Sequence, residues 1–247
     1  MATLICDLDG VVYLSESEIP GSGKALTRLA ATGWEIVFCT NNSTRTAEET
    51  AAKIRRVTAF PAEARRVVTS AQAAATLLEP GEAVFVLGGP GLSEAARTRG
   101  CLLAEDWTVV DAVLVGLDLG LTYERLSSAV LAVGRGARFI ASNHDATYPT
   151  PDGLKPGAGA IVAAVAHATG VEPIVAGKPH APMRRLLAEK ATGEIWIVGD
   201  RDDTDLAMGR SEGWATAHVA TGVSQDLEQP ATISVPDLAA LADHLLR

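Results

Sequence analysis

Short apolar runs alternate with longer amphipathic stretches along the whole chain, and that alternation predicts its elements. The first run, Leu4-Ile5-Cys6, reads as a buried strand that breaks at Asp7-Leu8-Asp9-Gly10, with Val11-Val12-Tyr13 beyond it. Pro20-Gly21-Ser22 opens a helix through Leu26 and Leu29 that Gly33 closes, and Glu35 to Cys39 is the next strand. It stops at Thr40-Asn41-Asn42-Ser43, four small polar residues that do not belong in a core. Thr46 to Glu49 has the spacing of a capping box for a helix through Ile54, and Val67-Val68 leads into Ser70 as N-cap of a helix to Leu78. Past Glu79-Pro80-Gly81 the pattern restarts, with strands near 83–87, 112–115 and 138–141 and helices near 92–99, 123–133 and 158–169. Gly88-Gly89-Pro90-Gly91 resembles an anion nest and reads more simply as a tight strand-to-helix turn. Gly177-Lys178-Pro179, a helix, a strand at 194–198, the polar run from Gly199 to Asp205 and another helix follow. A last strand near 215–219 and a helix near 238–246 finish the chain. Strands alternating with helices predict an α/β fold of parallel sheets covered by helices on both faces.

Composition narrows the class. With 247 residues and 47% hydrophobic content, the chain has enough apolar surface for one large domain or two modest ones. Lys+Arg 21 against Asp+Glu 30 gives a net charge of -9, and no basic cluster exceeds pairs such as Arg55-Arg56 and Arg65-Arg66. That balance argues against a nucleic-acid partner and leaves room for a local positive pocket. No apolar run reaches membrane-span length, and no basic leader precedes the first strand. Cys6, Cys39 and Cys101 are too few and too scattered for a disulfide framework or a zinc site. They are expected as small buried hydrophobes in a cytoplasmic protein without a membrane partner.

The polar punctuation carries the chemistry. In an extended backbone Asp7 and Asp9 project to one side, and two carboxylates held that close shift apart in pKa unless a cation or a shared proton compensates. The same D-x-D-G pattern is also ordinary turn chemistry. Asp7, Thr40 and Asp200 each stand at or just after the end of an apolar strand, where open α/β sheets place their ligands. Asp7, Asp9, Asp200 and Asp205 would then bring up to four carboxylates together, an all-oxygen set suited to Mg2+. Lys178, the Thr40 hydroxyl and the backbone N–H groups of the turn at 40–43 supply what an anion needs. Carboxylates, a metal and a lysine together suit phosphoryl transfer.

The pieces DLDGV, TNNS, the lysine of GKP, and GDRDDTD, in this order, resemble the four motifs of the haloacid dehalogenase superfamily of aspartate-nucleophile phosphatases. The stretch between the second and third motifs resembles the type-2 cap, subtype A, of the branch with para-nitrophenyl phosphatase-like and pyridoxal phosphate phosphatase-like enzymes. The resemblance implies a Rossmann-like core of residues 1–74 and 177–247 with an inserted smaller α/β cap domain at 75–176. It implies a Mg2+-dependent phosphatase acting on a small phosphomonoester. Asp7 would be the nucleophile that forms an aspartyl phosphate, and Asp9 the general acid and then base. Mg2+ would be held by Asp7, Asp200 and the backbone carbonyl of Asp9, with Asp205 orienting a metal-bound water.

By the same resemblance Thr40 and Asn41, with Asn42 beside them, would hold the phosphoryl oxygens, and Lys178 would neutralise them. The loop Asn143-His144-Asp145 faces the active site in related enzymes, so these residues are candidates for contacting the leaving group. A homodimer through the cap is expected by analogy. Glu16 and Glu18 depart from the family's glycine-bearing version and, near an entrance, would disfavour highly anionic substrates. Asp202 stands where the family commonly has leucine, an added charge beside the metal, and Asp203 reads as a first-turn helix acid. Phosphotransfer to an acceptor other than water, as in the superfamily's mutases, and a non-catalytic binding module are the alternatives.

Overall fold

The computed structural model describes residues 1–150, 152–222 and 227–247. The chain runs β1 (Ala2–Asp7), β2 (Tyr13–Leu14), β3 (Ser17–Glu18), α1 (Ser22–Ala31), β4 (Trp34–Thr40), α2 (Ala47–Thr58), β5 (Val67–Thr69) and α3 (Ser70–Ala75). It continues through β6 (Ala83–Leu87), α4 (Pro90–Thr98), β7 (Leu102–Leu103), β8 (Ala112–Val115), α5 (Tyr123–Gly134), β9 (Arg138–Ala141), β10 (Thr147–Thr150), β11 (Gly153–Pro156), α6 (Ala158–Thr169) and β12 (Ile174–Val175). It closes with α7 (Ala181–Lys190), β13 (Glu194–Gly199), α8 (Ala207–Glu212), β14 (Ala215–Val219), β15 (Ile233–Val235) and α9 (Leu238–Leu245).

Two compact units result. One comprises 1–40, 47–68 and 184–247, the other 41–46 and 69–183. The first is built on a six-stranded sheet in the order β15-β14-β13-β1-β4-β5. β1 lies near its centre, parallel to β13 on one side and to β4 on the other, with Cys6 opposite Val198 and Asp7 opposite Cys39. Its residues from Thr3 to Asp7 are all buried, which explains why β1 reads as a continuous apolar run rather than an alternating one. Leu4, Cys6, Phe38 and Val198 pack with Leu26 and Leu29 of α1, Ile54 of α2 and Leu238 and Leu241 of α9 into one core. The second unit has a five-stranded parallel sheet, β12-β9-β8-β6-β7. Phe85, Leu87, Val113, Val115 and Phe139 form its core with Ala129 and Val133 of α5 and Val162 and Val165 of α6.

Three details depart from the sequence reading. The helix after β5 is capped one residue earlier than expected, by Thr69: its hydroxyl accepts the Gln72 N–H at 3.3 Å while Gln72 accepts the Thr69 N–H at 3.0 Å. That reciprocal pair satisfies two helix-end donors, and Ser70 is left to bond elsewhere. Two antiparallel hairpins, β2–β3 and β10–β11, interrupt the parallel pattern. β14 is not the last strand, because β15 extends the sheet beside it.

All three cysteines are buried thiols, and burial pushes the Cys101 thiol up. A thiolate-directed reagent is therefore expected to leave the native protein unlabelled at pH 8 and to label all three residues in denaturant. Fast labelling of the native protein would contradict the burial. No helix among the described residues is long and apolar enough to cross a membrane.

Candidate active site

β1 stops at Asp7 because the chain turns at once. The Leu8 carbonyl accepts the N–H groups of Val11, Val12 and Tyr13 at 3.3, 2.9 and 3.2 Å, and Gly10 supplies the positive φ of 90° that the turn requires. Asp200 follows β13, the strand beside β1, and Asp205 sits in the π-helical turn Asp202–Leu206 that leads into α8. Side-chain oxygens of Asp7, Asp200 and Asp205 lie within 4.8 Å of one another, and all three residues are buried. Three buried carboxylates so close repel one another unless a cation is shared. The donors are oxygens only, which fits a hard divalent cation such as Mg2+.

The cradle around Asp200 is tight on two sides. A β-carbon on Gly10 would stand 2.7 Å from the Asp200 carboxylate, and one on Gly222 would stand 1.9 Å from it. Thr221 ties the two walls by donating its hydroxyl to the Gly10 carbonyl at 2.5 Å. The sequence reading missed Thr221 and Gly222. The available signal was a small polar pair just past the end of β14, beside the strand that carries Asp200.

Asp9 is not part of the carboxylate group; it is half-buried and forms an isolated bridge to Tyr13. The two-residue alternation that would pair it with Asp7 needs extended backbone, and the strand has ended. Thr40, the last residue of β4, is buried one position beyond Cys39, the partner of Asp7 in the ladder.

Asp202 is held away from the carboxylate group. It pairs with Arg210 at 2.7 Å and accepts the Glu228 N–H at 2.8 Å. Asp203 is exposed on the turn and pairs with Arg201 at 2.8 Å. Asp202→Ala is expected to destabilise the fold by about 1–3 kcal/mol, because Arg210 and the Glu228 amide lose an acceptor. Mg2+ affinity should stay within about threefold of native. Thermal melting and Mg2+ titration check both, and a large loss of Mg2+ affinity would assign Asp202 to the metal site instead. The glutamates after β2 are likewise compensated. Glu16 pairs with Arg56 at 2.7 Å and Lys53 at 3.8 Å, and Glu18 accepts the Gly23 N–H at 2.8 Å near the start of α1.

The remaining candidates belong to the second unit. Lys178 and Asn143 are buried, His144 is exposed, and Asn41 and Asp145 are intermediate. The structure brings Asn41, Asn143, Asp145 and the Lys178 backbone into one hydrogen-bonded network. Asn42 instead closes its own turn, its side-chain oxygen accepting the Thr44 N–H at 2.9 Å and the Thr44 hydroxyl at 2.7 Å. Gly89 and Pro90 occupy the N-cap and first position of α4, the expected turn.

A parallel α/β sheet with buried carboxylates gathered at its carboxyl ends defines an enzyme that works on a bound ligand at the strand tips. Sequence comparison gives the family. The haloacid dehalogenase-like hydrolase signature matches residues 4–101, and a second signature of the same hydrolases matches 175–245. An acid sugar phosphatase of Staphylococcus aureus is 40% identical over 246 residues, 95% of this chain and 94% of its own. The magnesium complex of a glycerol phosphate phosphatase from Mycobacterium tuberculosis superposes with a TM-score of 0.90 at 34% identity, covering 98% of this chain and 77% of that one. A 4-nitrophenylphosphatase from Thermotoga maritima superposes with a TM-score of 0.90 at 31% identity, covering 98% and 97%. The chain belongs to the haloacid dehalogenase-like hydrolase family and is a phosphoric monoester hydrolase of its 4-nitrophenylphosphatase branch.

Proposed function

We propose that this enzyme hydrolyses small-molecule phosphomonoesters, sugar and polyol phosphates foremost, through an aspartyl-phosphate on Asp7 and with Mg2+. The observation that carries the reading is the buried group of Asp7, Asp200 and Asp205 at adjacent strand ends. The relatives named as acid sugar, glycerol phosphate and 4-nitrophenyl phosphatases support the substrate class.

Asp7 attacks phosphorus, forming a phosphorus–oxygen bond to its carboxylate as the bond to the leaving oxygen breaks. Asp9 gives that oxygen its proton. A water then attacks the phosphorus, Asp9 takes its proton, and the Asp7 carboxylate leaves, which returns the enzyme to its starting state. Thr40 and the Asn41 main chain hold phosphoryl oxygens, and Lys178 supplies positive charge to them. Asp7, Asp200 and the Asp9 carbonyl, with Asp205 alongside, would hold Mg2+, which would supply the positive charge that offsets repulsion between a carboxylate and an anionic phosphoryl group. Residues 75–176 serve as the cap that selects the leaving group.

Phosphate release from a panel of sugar, polyol, nucleoside and nitrophenyl phosphates tests the reading. Release is expected with Mg2+ and is expected to fall to background with excess chelator. Full activity in chelator would remove the metal from the reading. Transfer of phosphate to a sugar without release would point to a mutase.

A further inference from the structure

Asn41 joins three stretches of the second unit. Its side-chain oxygen accepts the Lys178 N–H at 2.8 Å, and its amide nitrogen donates to the two Asp145 oxygens at 3.2 Å each. The same nitrogen lies 3.4 Å from the Lys178 carbonyl, which it also serves as donor. The Asn41 main-chain carbonyl accepts the Ser70 hydroxyl at 2.5 Å and the Asn143 side-chain N–H at 2.7 Å. Asn143 in turn accepts the Asp145 N–H at 3.1 Å, which fixes the loop on itself.

The chemistry of the groups gives this network a direction. A primary amide has one acceptor oxygen and two donors on nitrogen. Turned over, Asn41 would set its oxygen against the Asp145 carboxylate and its NH2 against the Lys178 N–H. The Asp145 charge therefore selects one amide orientation, and that orientation holds the Lys178 backbone. His144 turns elsewhere: its ring stands edge-to-face on His180 at 5.4 Å, beside a hollow of about 780 Å³ that Ala160 and Ala163 of α6 also line. Within the loop, the two flanking side chains reach Asn41 and the middle one faces the hollow.

We propose that Asn143 and Asp145 are positioning residues, which act through Asn41 to set Lys178 and the phosphate-binding turn rather than to read the leaving group. The inference rests on the phosphatase reading, because it assigns Lys178 to the phosphoryl group.

Inorganic phosphate is the discriminating probe, since as product inhibitor it carries no leaving group. In Asp145→Ala its inhibition constant is expected to rise about tenfold, the loss of one charge-assisted hydrogen bond. The fall in kcat/KM should be the same for esters with different leaving groups. Asp145→Asn keeps an acceptor for Asn41 and is expected within about threefold of native. Should Asp145→Ala fail to fold, the exchanged pair decides. Asn41→Asp alone places two carboxylates together and is expected to lose phosphate inhibition, whereas Asn41→Asp with Asp145→Asn restores donor to acceptor and should regain it. A native phosphate inhibition constant in Asp145→Ala, with KM altered for one ester only, would overturn the inference and leave the phosphatase reading intact. An exchanged pair no better than the single variant would overturn it too. Absence of hydrolysis by the native enzyme across the panel would instead sink the phosphatase reading, and this inference with it.

Discussion

Asp7→Asn is expected to abolish turnover, with kcat lower by about 10⁴-fold or more, as when a nucleophile is removed from a covalent mechanism. The amide is nearly isosteric with the carboxylate and cannot form the acyl phosphate. The same change should raise stability when no metal is present. Asp7, Asp200 and Asp205 are buried within 4.8 Å of one another, so neutralising one relieves like-charge repulsion. A gain of ~1 kcal/mol corresponds to a melting point higher by about 2–4 °C in chelator. Excess Mg2+ should narrow or reverse that difference, because the variant offers the cation one carboxylate fewer. Turnover at native rate would place the nucleophile elsewhere, and an unchanged melting point in chelator would mean that repulsion within the group does not limit stability.

The second large effect is expected from Gly222→Ala. One added methyl group would stand 1.9 Å from the Asp200 carboxylate, well inside contact distance, so either Asp200 or the segment after β14 must move. Asp200 is expected to be the group that moves, because the Thr221 hydroxyl ties the segment after β14 to the Gly10 carbonyl at 2.5 Å. Mg2+ affinity is expected to fall about 10–100-fold, the usual consequence of misaligning a metal ligand, with activity following at low Mg2+. Raising Mg2+ should recover part of the activity. Isothermal titration with Mg2+ beside a melting curve separates this from simple unfolding. A native Mg2+ constant would show that the loop, not Asp200, gives way.

The larger apolar runs were legible because buried parallel strands leave continuous hydrophobic segments. β6, β8 and β9 stand where the sequence placed them. The short strands were not, for the reverse reason. β11 is exposed throughout and β3 is two exposed residues, so neither carries a buried face to mark it. Of the carboxylates, Asp7, Asp200 and Asp205 could be read from their places at and after apolar strands. The Asp9 side chain lies outside that carboxylate group, since strict alternation holds only while the strand lasts. Asp202 looked like added charge near a metal because its partner, Arg210, lies about one turn along the next helix and pairs only once the turn has formed. The Asn41 network was invisible for a related reason: it joins residues more than a hundred positions apart, and no local pattern announces such a bond.

The pairing of β1 with β13 sets the order in which the enzyme can be finished. Ala2 lies opposite Glu194 and Cys6 opposite Val198, so one flank of β1 waits for a partner strand that follows it by nearly two hundred residues. At translation rates of about 5–20 residues per second, that wait is roughly 10–40 s. Throughout it, an apolar strand has an open edge, the condition under which nascent chains aggregate or recruit chaperones. High contact order of this kind also slows refolding in vitro. Asp200 and Asp205 arrive with and just after β13, so no incomplete chain ending before that strand carries the full carboxylate group.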